Sequence, residues 1–315
     1  MSEKSNQEYK GVWPVLITPY NDDLSIDIDG YRKMLEWYSS LDLGGVYANC
    51  QSSEMFELTD DERILLITEA LKVVDGKFPV VATGNFGDNI DEHIEFVKKV
   101  ADAGAEIVML TVPTFHNSDE ELEKYYLTIA EKTDAKLGIY ECPVPRSYHL
   151  GFDLVKVLAD SGRFFAYKET SCNIDKIEKL IGITKGTNLA LLQANVPYML
   201  EAMKLGAPGS MNIAANWMPD LELEVLKRGL KGDPSADELN GILCGMEMAQ
   251  RSVHPMGVKY LISKRGIPIK PLTRYPRVLS PEERYSLDQA SKVWFDENGE
   301  LRILKDSKFT VGQVK

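Results

Sequence analysis

The sequence predicts an α/β protein, a (β/α)8 (TIM) barrel with a C-terminal helical extension, and three observations carry that prediction. Short apolar runs alternate with amphipathic stretches whose apolar residues recur every three or four positions. There are eight such runs, as many as a closed parallel barrel uses. No glycine-rich GxGxxG turn follows an early run, so the rival doubly wound sheet lacks its dinucleotide-binding fingerprint.

The elements follow in chain order. "GVWPVLIT" from residue 11 is the first strand, and "DIDGYRKMLEWYSSL" after it has helical spacing. "GGVYAN" near 44 precedes the helical "TDDERILLITEALKVV", and "PVVATGN" near 79 precedes "NIDEHIEFVKKVADAG". "EIVMLTV" near 106 leads to "SDEELEKYYLTIAEKT". Asp27, Thr59 and Ser118 open such stretches and are followed by acidic residues, as suits a helix N-terminus. The remaining strands are "KLGIYE" near 136, "RFFAYKE" near 163, "LALLQA" near 189 and "APGSMNI" near 207. After about residue 233 the strand signal stops. "SADELNGILCGMEMAQRSVHPMGVKYLISKRG" and "SPEERYSLDQASKVWF" read as added helices joined by a proline-rich link. The expected division is a barrel over 1–232 and a helical extension with a tail over 233–315.

Composition narrows the function. A length of 315 residues accommodates one barrel of about 250 residues or more. No apolar run approaches the roughly 18 residues of a membrane span. The polar start "MSEKSNQEYK" lacks a secretory signal, so no membrane association and a cytoplasmic location are expected. A net charge of -12 argues against nucleic acid as a partner. It still admits a small anionic substrate, because one local cation governs a pocket. Cys50, Cys142, Cys172 and Cys244 are widely spaced, match no zinc pattern and are expected to remain thiols.

In such a barrel the active site lies at the C-terminal ends of the strands. Lys168 is the only lysine at those ends, where burial lowers its pKa and frees the amine to attack a carbonyl. Tyr140 ends the neighbouring strand and offers a hydroxyl for proton transfer. "NCQSSEMF" supplies hydroxyls and backbone N–H groups at a turn suited to a carboxylate. Gln51, Glu141, Asn195, Met211 and Asn212 complete the candidate substrate-binding set, with His116 as a candidate acid or base.

Several of these segments together resemble the dihydrodipicolinate synthase / N-acetylneuraminate lyase family of class I, pyruvate-handling aldolases and lyases. The resemblance runs over about residues 10 to 300 and rests on "GVWPVLITPY", "NCQSSEMFELTDDER", "IYECP", "YKETS" and "GAPGSMNIAAN". It implies that Lys168 forms an imine with a 2-oxo acid, normally pyruvate, and that Tyr140 shuttles a proton. It further implies that Ser52, with the backbone N–H of Ser53, grips the substrate carboxylate, and that Thr18 and Pro19 shape the barrel mouth. An aldehyde partner, no cofactor, no metal and a homotetramer are implied as well.

The departures narrow the branch. Gln51 replaces a hydroxyl residue of the family's GTTGE, and Cys50 and Ser53 replace its glycines. Thr114 and Phe115 stand where a tyrosine follows the proline, and Arg146 lies one residue further along than in synthases. Val196, Pro197 and Ile213 occupy positions that sialate lyases fill with Asp, Glu and Ser. The expected reaction is lyase or aldolase chemistry on pyruvate or a 2-oxo-3-deoxy acid. Its alternatives are a dehydratase or hydratase-aldolase using the same imine, a synthase-type condensation, and a catalytically weak 2-oxo-acid-binding protein.

Overall fold

A computed structural model describes residues 8–310. The strands are β1 (Gly11–Pro14), β2 (Val46–Ala48), β3 (Val80–Thr83), β4 (Ile107–Thr111), β5 (Leu137–Tyr140), β6 (Phe164–Glu169), β7 (Ala190–Gln193) and β8 (Gly209–Asn212). The helices α1 (Ile28–Tyr38), α2 (Asp60–Val74), α3 (Ile90–Asp102), α4 (Asp119–Lys132), α5 (Phe152–Asp160), α6 (Ile174–Thr184), α7 (Val196–Lys204) and α8 (Pro219–Gly229) alternate with them. All strand pairs are parallel, in the order β1-β8-β7-β6-β5-β4-β3-β2. A bridge from Val15 to Tyr47 brings β1 back to β2, with the Leu16 N–H donating to the Tyr47 carbonyl at 2.8 Å. The eight apolar runs are the eight strands of the (β/α)8 barrel.

Period-two alternation sorts the strand side chains. Trp13, Tyr47, Val81, Met109, Ala166, Leu192 and Met211 fill the barrel interior. Val12, Val46, Val80, Val108, Leu110, Ile139, Tyr167 and Leu191 face outward and pack against the helices. The helices begin where cap chemistry sets them. Thr59 accepts from Glu62 N at 3.2 Å while the Glu62 carboxylate accepts from Thr59 N at 2.9 Å. Asp27 and Ser118 cap α1 and α4 in the same sense, and Asn89 caps α3. Each such cap is worth about 0.5–2 kcal/mol.

The extension consists of α9 (Ser235–Arg251), α10 (Met256–Lys264), α11 (Pro281–Trp294) and α12 (Ser307–Thr310). A buried ion pair ties it to the barrel. Lys259 Nζ on α10 lies 2.5 Å from Glu54 Oε1, and both side chains are fully buried. Lys259 also donates to the Leu272 carbonyl, while the second Glu54 oxygen accepts from Thr273 Oγ1 and Arg274 N. Every polar atom of the pair is therefore satisfied, which burial of charge requires. Among the described residues no helix is long and apolar enough to cross a membrane.

Candidate active site

β6 explains how a lysine comes to be buried. Ala166 and Lys168 point inward while Tyr167 points out to the helices. Lys168 pairs in register with Tyr140 of β5 and Leu192 of β7. One layer deeper, Gly138, Ala166 and Ala190 are small and leave room for the lysine stem. Lys168 is only 5% exposed. Its Nζ lies 4.2 Å from the centroid of the Tyr140 ring and 5.3 Å from that of Tyr47. Among the described residues it has neither an ion-pair nor a hydrogen-bond partner. Burial therefore lowers its pKa, only partly opposed by nearby Cys50 and Cys142. The outcome is an amine that gives up its charge more readily than a surface lysine.

Tyr140 packs edge-on against Tyr47, with ring centroids 5.7 Å apart. Burial holds its phenol pKa well above the ordinary value, so at neutral pH the hydroxyl keeps its proton. The Gln51–Ser53 turn follows β2, between Asn49 and Glu54, both in left-handed backbone conformations at φ 53° and 57°. Thr18 braces this turn by donating to the Ser53 carbonyl at 2.7 Å.

A cavity of about 280 Å³ opens above Lys168. It is lined by Gln51, Ser52, Tyr140, Pro143, Ser147, His149, Lys168, Thr170, Ala194, Asn195, Asn212, Ile213 and His254. Six sequence-derived candidates thus meet in one space: Lys168, Tyr140, Gln51, Ser52, Asn195 and Asn212. Among the described residues, no arginine and no carboxylate lines it. The Asn212 amide donates to Glu222 Oε2 at 3.0 Å and its carbonyl oxygen accepts from Ala215 N. Burial raises the Glu222 pKa to about 8, so that carboxyl is mostly protonated at neutral pH. Asn195 is positioned by Gln193, which accepts from its backbone N–H at 2.8 Å.

Four candidates lie elsewhere. The Ser53 hydroxyl accepts from Cys50 N and donates to the Leu16 carbonyl at 2.6 Å, while its N–H donates to the Cys50 carbonyl. Both its donors serve the turn, so the N–H expected at the substrate carboxylate is engaged internally. Glu141 follows Tyr140 and points the other way, buried, accepting from Tyr167 at 2.6 Å and Leu150 N at 2.8 Å. Burial would raise its pKa, but hydrogen bonding to His149, the charge of Lys176 and the Tyr167 hydrogen bond together lower it. Met211 is packed in the barrel interior below the cavity. His116 stands near Glu121 outside the cavity, and Arg146 bridges loops by donating to Asn117 and to the Pro113 and His116 carbonyls.

Sequence reasoning missed His149 and His254. His149 enters on the loop after β5, its Nδ1 3.0 Å from Glu141 Oε2, so Glu141 acts on the cavity through this ring. His254 comes from the connection between α9 and α10. The available signal was a His-Pro pair interrupting a helical pattern in the extension. A larger cavity of about 480 Å³, lined by Arg63, Asn85, His93 and Phe115 among others, contains neither Lys168 nor Tyr140.

The chain is similar to known proteins over most of its length. It is 29% identical over 297 residues to the 4-hydroxy-tetrahydrodipicolinate synthase of Methanothrix thermoacetophila, covering 93% of this chain and 100% of that one. The crystal structure of dihydrodipicolinate synthase from Aquifex aeolicus shares the fold with a TM-score of 0.82 at 24% identity, over 90% of this chain and 97% of that one. The model of the dihydrodipicolinate synthetase family matches residues 8–292. With Lys168 and Tyr140 side by side at the mouth of the barrel, the chain belongs to that family and is an enzyme of its class, the class I, Schiff-base-forming lyases and aldolases.

Proposed function

We propose that the enzyme forms an imine between Lys168 and the ketone of a 2-oxo acid, and through it cleaves or forms a carbon–carbon bond in a 2-oxo-3-deoxy acid. The observation that carries this reading is a buried amine with no counter-ion among the described residues, set against a protonated phenol at the floor of a cavity lined by hydroxyl, amide and imidazole side chains. The amine attacks C2 and water leaves. The resulting iminium takes up the electron pair of the bond that breaks beyond C3. Ser52 and Gln51 hold the carboxylate, with Ser53 keeping the turn in shape. Tyr140 supplies and recovers protons. Asn195 and Asn212 face the hydroxylated remainder, with Glu141 and Met211 supporting the cavity from behind and below. The lysine itself provides the electrophile, so the chemistry calls for no cofactor.

A cavity with no arginine among the described residues favours a polyhydroxy chain over an aldehyde bearing its own carboxylate, which makes synthase-type condensation the weaker reading. The same proposal places the enzyme in the cytoplasm as a homotetramer, for which light scattering should give about four times the chain mass.

The test is reductive trapping. Borohydride with pyruvate should leave an adduct on the peptide containing Lys168, and Lys168→Met should leave none. Trapping on any other residue, or none on the parent enzyme, refutes the assignment. Incubation with 2-oxo-3-deoxy sugar acids then separates the reactions, since cleavage releases pyruvate and an aldehyde whereas dehydration releases neither.

A further inference from the structure

Behind the reacting pair, one buried acid ties the floor of the cavity to its mouth. Tyr140 and Lys168 pair in register across β5 and β6, so Glu141 and Tyr167 beside them turn to the outer face, where Tyr167 donates to Glu141 Oε1 at 2.6 Å. The same carboxylate has a fully buried side chain and accepts from Leu150 N at 2.8 Å and from His149 Nδ1 at 3.0 Å. Lys176 of α6 pairs with it at 3.5 Å. Asp119 of α4 holds the same loop from the other side, accepting from the Tyr148 hydroxyl at 2.9 Å and from Gly151 N at 2.8 Å. His149 sits between these anchors, so its ring is fixed before a substrate arrives.

That ring faces the cavity from its open end. The His149 side chain is 39% exposed, whereas Lys168 and Tyr140 are buried at the floor. A carboxylate can only accept, so Nδ1 carries the hydrogen of the bond to Glu141. Nε2 points away from that bond and has no partner among the described residues. A hydroxyl satisfies Nε2 in either protonation state, because it both donates and accepts. The hydrogen bond to Glu141 raises the His149 pKa, opposed by burial; the charges of Glu141 and Glu169 add to the rise and that of Lys176 works against it. Even with the imidazole charged, the two carboxylates offset the two cations. No net positive charge remains there to hold a phosphate or a second carboxylate.

We propose that His149 is a specificity-determining residue and Glu141 its positioning residue: through Nε2 the ring hydrogen-bonds a hydroxyl on the uncharged far end of the 2-oxo-3-deoxy acid held on Lys168, a role that rests on the imine reading above. C2 is bonded to the amine at the floor, and the hydroxylated chain runs from there toward the mouth, where the ring is. Pyruvate ends at C3 and carries no such hydroxyl. His149 therefore discriminates between tails and takes no part in forming the imine.

The experiment compares the full-length parent enzyme with His149→Ala, His149→Gln, Glu141→Gln and the double variant Glu141→Gln/His149→Ala. It reads borohydride trapping of pyruvate, and kcat and KM separately for 2-oxo-3-deoxy acids of increasing hydroxyl number, one of them phosphorylated at its far end. In His149→Ala the pyruvate concentration for half-maximal trapping should stay within about threefold of the parent. Over the same change kcat/KM for the hydroxylated acids should fall about 10-fold or more, mainly through KM, as expected for a lost hydrogen bond to bound substrate. His149→Gln, whose amide can stand in for Nε2, should recover part of that loss. Glu141→Gln should shift KM in the same direction, and the double variant should be no worse than His149→Ala, because Glu141 acts through the ring. Losses that add in the double variant overturn the proposal. So does kcat/KM within about threefold of the parent for every acid in His149→Ala, or an equal loss for pyruvate trapping and for the long acids. A parent that prefers the phosphorylated acid overturns the uncharged tail and the proposal with it. A parent that traps pyruvate but acts on none of these acids overturns the role of His149 and leaves the imine standing. A parent that traps no pyruvate removes the imine reading itself, and this role with it.

Discussion

Single side chains set the chemistry through what burial does to their protons. Lys168 is buried and has no counter-ion among the described residues, which lowers its pKa, whereas Tyr140, its ring centroid 4.2 Å from the amine, is buried and so keeps its proton. Tyr140→Phe should therefore retain slow imine formation but lose about 100-fold or more in turnover, checked by comparing trapping with steady-state rate. Glu222, which holds Asn212 at the cavity edge, gives a pH signature of its own. Burial lifts its pKa from 4.5 to about 8, opposed by Asn212 and Ser210 and assisted by Glu247. Between those values the folded chain keeps a proton that the unfolded chain releases, so folding stability falls as pH rises. The stability present below 4.5 is lost as pH passes about 8. Thermal midpoints measured across that range should decline in the parent and decline less in Glu222→Gln.

At the level of elements, the turn after β2 shows how a short segment is held in an unfavourable shape. Glu54 sits in the left-handed region at φ 57°, and an ordinary side chain there costs about 1–3 kcal/mol. Its carboxylate is held by Lys259, Thr273 and the Arg274 backbone. Lys259→Met would leave that charge buried and unpaired, so a loss of about 3–5 kcal/mol is expected in denaturant melts. The double variant Glu54→Gln/Lys259→Met should recover part of it. Because Glu54 directly follows Ser52 and Ser53, the single variant should also weaken pyruvate binding, read as a higher pyruvate concentration for half-maximal trapping.

Across the whole molecule, the extension completes the barrel rather than merely following it. It supplies Lys259 to Glu54, His254 to the cavity, and Trp294 and Phe295 to cover Trp217, with ring centroids 5.5 and 6.1 Å away. A chain cut after residue 232 should lose cooperative melting and pyruvate trapping together, measured by circular dichroism and borohydride labelling. A truncated barrel that melts cooperatively and still traps pyruvate would show that these contacts are dispensable.

The sequence by itself determined the local order of the protein. Apolar runs with a period of two and capped stretches with a period near 3.6 are properties of neighbouring residues, so all eight strands and the caps at Asp27, Thr59 and Ser118 were legible. The same alternation that turns Tyr140 inward turns Glu141 outward, a consequence available in the sequence before any contact was seen. The tertiary structure alone decided which groups share the cavity. It engaged the Ser53 N–H within its own turn, packed Met211 below the cavity, and brought His149 and His254 into the lining of the cavity. Distance along the chain carries no information about such meetings, because closing the barrel joins residues whose local patterns are independent of one another.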